Sequence, residues 1–333
     1  MVAIAGSFDD LRNVEAADQA LSAGSNGIAT KYPGDRGIED DSSVVFVENF
    51  DAKSLDAIAK RWEAVKSESN MSLSAEVPIG SADKMSLLLT HVGGQGDGGH
   101  LYRRLDPGYD RLHYRFYVKF DGHCSPIHHF FHVGGYHPAT PWPQGGAGER
   151  PRGNKRFSTG VEPFGTSWRW DYYSYWMEMR GSPPRGQTWG NSFINDPSTK
   201  VNRGEWTCVE LMLKLNEVGK ANGEMALWID GLLVSHLGPG YPKGKWIYDK
   251  FLPNQGGEGV RWNDDMNKPQ QLQFPRDGKA FEGFRWRSDE KLKLNFLWLL
   301  CYITKAPEGH VSKIWFDNIV VAKEYIGPIA AQR

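Results

Sequence analysis

The sequence predicts an all-β protein, a two-sheet antiparallel sandwich with a few short helices and long loops. Three observations carry that prediction. Short strand-like runs recur from Ser42 onward, and turns rich in Gly, Pro and Asn separate them. There is no strand–helix–strand alternation of the kind that builds a parallel sheet. Helical periodicity is confined to short pieces such as SLDAIAKRWEAV, Ser54 to Val65.

Taken in order, residues 1–42 are polar and rich in Ala, Gly, Ser and Asp. They read as a weakly ordered N-terminal arm, with one helical turn near DDLRNVEAADQAL. Residues 43–330 show no break in composition and read as one domain. SSVVFVENF opens it as a strand. In LHYRFYVKF, Tyr114, Phe116, Val118 and Phe120 share one face, and His113, Arg115, Tyr117 and Lys119 share the other. CVELMLKLN places Val209, Leu211, Leu213 and Leu215 together. GEMALWIDGLLV reads as strand, Asp-Gly turn and returning strand. KLKLNFLWLLCYI and KIWFDNIVVAKEY are the last two strong strands. The stretch from Tyr241 to Glu290 is loop-rich, and a loop of that length is more often functional than accidental.

Composition excludes some partners. The 333 residues carry a net charge of −1, so no global basic field is offered to nucleic acid. No apolar run is long enough for a membrane span; the longest, FLWLLCYI, reads as a buried strand. Three cysteines, Cys124, Cys208 and Cys301, lie far apart, with neither a CxxC nor a zinc spacing. The start, MVAIAGSFDD, lacks the basic and apolar regions of a signal peptide. Aromatic content is 13%, with an excess of Trp and Tyr. Such rings cover the C–H faces of sugars, although large β-proteins also use them as core.

The most unusual stretch is SPIHHFFHVGGYHP, Ser125 to Pro138, which sets His128, His129, His132 and His137 in and around one strand. Strict alternation puts His128, Phe130 and His132 on one face and His129, Phe131 and Val133 on the other. The face with two histidines is the expected groove face, where His132 serves as base or charge neutraliser. The alternative is that the imidazoles bond neighbouring strands. Zinc is a weaker reading, because no carboxylate or Cys stands at a ligand spacing in the sequence.

WRWDYYSYWMEMR supplies phenols on both faces: Tyr173 and Tyr175 share one parity, and Tyr172 shares the other with Trp176. Tyrosine donates or accepts a proton at a polarised sugar carbon, and the alternative is a cross-strand aromatic ladder. Trp176 and Trp298 are expected sugar-stacking faces. Arg115, Tyr117 and Lys119 form a polar face suited to a carboxylate, or else an ordinary outer face. GGQGDGGHLYRRL lacks the Lys and Ser/Thr of a phosphate loop and reads as a tight turn bringing Gln95 and His100 to the groove. Glu48, Asp51 and Asp317, near the first and last strands, are candidate ligands of a structural Ca²⁺, against ordinary turn chemistry.

GEWTCVELMLKLNEVGKANGEMALWIDGLLV and KIWFDNIVVAKEYIGPI, with LHYRFYVKF and RFSTGVEP, resemble the concanavalin A-like jelly roll of the alginate and glucuronan lyases (polysaccharide lyase families fourteen and twenty). The resemblance spans residues 44–328. It implies β-elimination on an acidic, uronate-containing polysaccharide or oligosaccharide, with no cofactor required for catalysis. A cation neutralises the sugar carboxylate, a His or Tyr takes the α-proton, and a Tyr protonates the leaving oxygen. His132, Tyr173, Tyr175 and Arg115 are the matching residue types. His128, His129, Tyr117, Lys119, Gln95, His100, Trp176 and Trp298 are then substrate contacts. A polymeric substrate also implies a secreted or periplasmic protein. Three rivals remain: a glycoside hydrolase, which needs paired carboxylates, a non-catalytic carbohydrate-binding module, and a metal-dependent enzyme built on the histidine cluster. The E-x-D-x-(x)-E strand of jelly-roll glucanases is absent, and Asp171 and Glu178 have opposite parity.

Overall fold

A computed structural model describes residues 21–179, 189–246 and 279–331. Its strands are β1 (Val44–Glu48), β2 (Ala64–Lys66), β3 (Met71–Ser74), β4 (Ser86–Val92), β5 (His100–Tyr109) and β6 (Arg111–Phe120). There follow β7 (His129–Tyr136), β8 (Arg156–Pro163), β9 (Trp170–Tyr172), β10 (Trp206–Lys214), β11 (Glu224–Ile229) and β12 (Leu232–Leu237). The last are β13 (Lys243–Trp246), β14 (Lys279–Glu282), β15 (Leu294–Tyr302) and β16 (Val311–Ala322).

Two antiparallel sheets face each other. The first has the order β12-β11-β10-β6-β16-β4-β3, with β1 pairing the end of β16 that β4 leaves free. The second has the order β2-β5-β15-β7-β8-β9. β13 and β14 form a separate pair. This is the jelly-roll sandwich that the strand pattern predicts.

The alternation in β6 and β10 works as read. Leu112, Tyr114, Phe116, Val118, Phe120, Val209, Leu211 and Leu213 all enter the core between the sheets. They meet Phe131, Val133, Leu297 and Leu299 of the second sheet. The Phe116 and Phe131 rings stack across the gap at 4.2 Å. The Asp230-Gly231 turn joins β11 to β12 with both residues at positive φ, as a two-residue hairpin requires. Helix α1 (Leu55–Ala59) is capped by Ser54, whose hydroxyl accepts from the Ala57 N–H. All three cysteines are buried and unbridged.

The polar face of β6 does not reach a groove. It lies on the outside of the first sheet, under residues 21–42 and the C-terminal segment. This half of the expected arm is packed rather than loose: Ile28, Ala29 and Ile38 bury against Val320, Ala322 and Ile326. The Ala29 N–H donates to the Ile326 carbonyl at 2.9 Å. Beneath it the Arg115 guanidinium is fully buried and bonds Asp35 at 2.6 Å. The helical turn expected within residues 9–21, like most of the loop between Tyr241 and Glu290, falls outside the described residues.

Candidate active site

The site is built on the outer face of the second sheet, opposite the face whose Phe131, Val133, Leu297 and Leu299 enter the core. Its floor is one row of register partners: Ala64 opposite Tyr102, Tyr102 opposite Trp298, Trp298 opposite His132, and His132 opposite Gly160. Gly160 in turn exchanges backbone hydrogen bonds with Tyr173. Residues far apart in sequence thus become lateral neighbours.

Strict alternation fails at the histidines. The register of β15 against β7 shifts between Leu299 and Tyr302. Phe130 and Phe131, though consecutive, both enter the core. His129 therefore leaves the Phe131 side and emerges beside His132, their rings 4.8 Å apart. The predicted pairing of His128 with His132 gives way to His129 with His132. A bulge or shift of this kind re-aims side chains that alternation would separate. His128 sits at the exposed rim, edge-on to Tyr302.

Glu162, on β8, joins them. His129 Nδ1 lies 2.7 Å from Glu162 Oε1, and His132 Nε2 lies 3.4 Å from the same oxygen. Burial pushes the Glu162 carboxyl up to about 7, against the opposing pull of His132. Burial also holds His128 and His129 down, to about 4 each, and lowers His132. Near neutral pH the imidazoles are therefore neutral. Sequence reasoning missed Glu162. The signal was present in RFSTGVEP, where Ser158, Gly160 and Glu162 share the face of His132.

Tyr173 closes the cluster, its ring centroid 4.6 Å from that of His129. It is held from the other side by Gly190, where a Cβ would stand 2.6 Å from the ring. Its hydroxyl lies 3.5 Å from that of Tyr175, which also receives the Gly148 N–H. Burial raises the Tyr173 phenol well above its ordinary value. Further along the floor, His100 stacks on Trp298 at 5.7 Å and pairs with Asp97 at 3.1 Å. Trp142, from the loop after β7, packs on both rings, and Lys66 Nζ lies 3.6 Å from its ring centroid.

Of the expected site residues, His132, His129, Tyr173, Tyr175, His100 and Trp298 come together, with His128 at the rim. The others do not. Arg115, Tyr117 and Lys119 lie on the far side of the other sheet, because their neighbours on β6 fill the core. There Tyr117 accepts from the Ile329 N–H, and Lys119 pairs with Glu76. Trp176 is fully buried among Phe193, Phe281 and Phe284, its Nε1–H bonded to Asn191. Gln95 is exposed in the turn after β4.

The three acids expected to hold Ca²⁺ do not converge. Glu48 is spent on Arg61, Trp62 and the Phe50 N–H. Asp51 is exposed. Asp317 is buried at a bulge of β16 beside Asn318, whose amide donates to Asp35 and Asp83. Burial, with Asp83 nearby, pushes Asp317 up to about 9.

The structure resembles solved jelly-roll lyases. A family PL-14 alginate lyase from Aplysia kurodai superposes with a TM-score of 0.55 at 13% identity, covering 85% of this chain and 100% of that one. Alginate lyase Aly36B gives 0.50 at 13%, covering 86% and 98%. Alginate lyase vAL-1 from Chlorella virus gives 0.50 at 12%, covering 85% and 100%. These likenesses show a shared fold. No protein-family model matches the sequence, and no curated protein matches it.

Proposed function

We propose that the protein is a polysaccharide lyase that cleaves an acidic, uronate-containing polysaccharide by β-elimination on this face. The observation that carries the reading is the convergence of His129, His132, Glu162 and the Tyr173–Tyr175 pair beside an aromatic floor. The likeness of fold to alginate lyases points the same way at the level of scaffold.

In this reading Trp298 and Trp142 carry sugar rings, and the neutral imidazoles of His129 and His132, with Glu162 protonated, donate hydrogen bonds to the uronate carboxylate. Withdrawal of charge there makes the α-proton at C5 acidic. A base removes that proton, the electron pair forms the C4=C5 bond, and the C4–O bond breaks. The leaving oxygen takes a proton from a tyrosine. Tyr173 stands next to the cluster and Tyr175 next to Tyr173, so the pair is placed to carry protons between C5 and that oxygen. Arg115 has no part in this scheme. The protein is further proposed to work outside the cytoplasm, where such polymers occur.

A glycoside hydrolase needs two carboxylates flanking the bond. The cluster brings one, Glu162, among the described residues. A binding module needs the aromatic floor but no proton carriers. The deciding experiment is ultraviolet absorbance during incubation with alginate, glucuronan, pectate, ulvan and glycosaminoglycans. Elimination creates a conjugated unsaturated uronate, and hydrolysis does not. New reducing ends without that absorbance would overturn the lyase reading. Binding without any cleavage would leave a module.

A further inference from the structure

We propose that His129, His132 and Glu162 hold a first-row divalent transition-metal ion, with zinc the natural occupant, on the outer face of the second sheet. Three observations support this. The first is distance: one ligand atom from each of the three side chains lies within 4.8 Å of the other two. Donors around a tetrahedral zinc with ~2.0–2.1 Å bonds stand about 3.3 Å apart. The 2.7 and 3.4 Å separations to Glu162 Oε1 sit on either side of that value. The imidazole nitrogens lie within 4.8 Å of each other, so the rings turn toward one another to admit the ion.

The second is a poorly satisfied atom. His132 Nε2 is buried and makes no well-aligned hydrogen bond, with Glu162 Oε1 3.4 Å away. A lone pair left so is costly, and a metal ion satisfies it fully. The third is charge. Among the described residues Glu162 contacts the two histidines, neutral near pH 7, and no Lys or Arg pairs with it. Lys66 is held over Trp142 instead. An ionised Glu162 thus lacks a permanent counter-charge, and a divalent ion supplies it.

The donor set chooses the ion. Two imidazoles and one carboxylate suit zinc and its first-row neighbours, whereas Ca²⁺ and Mg²⁺ prefer all-oxygen cages. Three protein ligands is also the number found where a metal keeps a position for substrate. Two of the ligands come from β7 and one from β8, adjacent strands in fixed register. The site is therefore largely preformed.

The ion would change the sign of the cluster. With Glu162 ionised the three side chains carry one negative charge, and with the ion one positive charge. A positive centre beside Tyr173 suits a uronate carboxylate and replaces the cation that Arg115 does not provide. This consequence rests on the elimination reading, but metal binding itself does not.

The test is calorimetric titration of the full chain with Zn²⁺ after dialysis against a chelator, with Co²⁺ absorption as a second probe. One ion per chain is expected. His129→Ala and Glu162→Gln should each weaken binding by more than about 100-fold, beyond the loss typical of an outer-shell partner. Tyr173→Phe should bind as the parent does. His129 is at the partly exposed edge of the cluster, so its variant should fold, which circular dichroism checks. No saturable binding, or binding that survives both substitutions, overturns the proposal. The two hypotheses separate cleanly. Zinc binding with no unsaturated product from any polyuronate would sink the elimination reading alone. Full elimination by chelator-treated protein that binds no zinc would sink the metal site alone.

Discussion

His132 on β7 lies directly opposite Gly160 on β8, and the space above that glycine is already filled. A Cβ at 160 would stand 2.3 Å from the Phe131 carbonyl oxygen and 3.3 Å from His132 Nδ1. The carbonyl belongs to the ladder and cannot yield without moving β7. Gly160→Ala is expected to cost about 1–3 kcal/mol of stability. It should also lower turnover in the fraction that remains folded, because the strand that moves carries both histidines. Denaturant unfolding and assay of the refolded protein check both. Unchanged turnover would mean that the position of His132 does not matter to the chemistry.

Tyr173 is the phenol nearest the histidines, and Tyr175 is its neighbour. Removing a proton carrier at the reacting bond typically costs about 10²–10⁴-fold in rate. Tyr173→Phe is expected to lose that much kcat while KM changes little, since the ring and its packing remain. Tyr175→Phe should cost less if it acts through Tyr173. Steady-state kinetics on the best polyuronate reads both, and equal, small losses would place the proton transfer elsewhere.

Arg115 was a natural candidate for carboxylate recognition, yet it is buried on the far side of the sandwich with Asp35. Arg115→Ala leaves Asp35, on the inner side of the 21–42 segment, without its counter-charge. Breaking a buried pair from one side costs about 3–5 kcal/mol. The expected variant is less stable by that order, with unchanged kcat at low temperature. A drop in kcat with no change in unfolding midpoint would contradict this placement.

Glu224 gives a pH dependence. Hydrogen bonds from His236 and Lys214 hold its carboxyl down to about 2, against an opposing effect of burial. A carboxyl with a lowered folded-state pKa stabilises the fold above its unfolded value of about 4.5, and that contribution fades as pH falls toward 2. Allowing for the exposed Lys214 partner, it is on the order of 1–2 kcal/mol. Urea midpoints of the parent and Glu224→Gln should differ at pH 7, draw together as pH falls below 4.5 and converge only below about pH 2. A gap that is constant with pH would rule out a charge effect.

Much of the fold was legible because a strand repeats every two residues. β6 and β10 announced their inner faces, and the Asp-Gly turn announced its hairpin. The histidine-rich strand stood out in the sequence as a candidate site, and His132, Tyr173, His100 and Trp298 share one face of the sheet. Its geometry was not legible. The register shift near His129 is set by β15, some 170 residues away along the chain. Glu162 became a partner through the pairing of β8 with β7, which no local pattern encodes.

Alternation names two faces of a strand but not what covers each. On β6 the polar face read as a carboxylate-binding face or, more readily, as an ordinary outer surface. It proved to be covered, because residues 21–42 and the C-terminal segment pack across it and Asp35 meets Arg115 there. On WRWDYYSYWMEMR both faces offered aromatics, and packing sent Trp176 inward and Tyr173 toward the histidines. Composition and period thus fixed a β-sandwich with an imidazole-rich strand. Long-range pairing, which depends on how whole sheets pack, chose the neighbours of that strand and with them the chemistry it can perform.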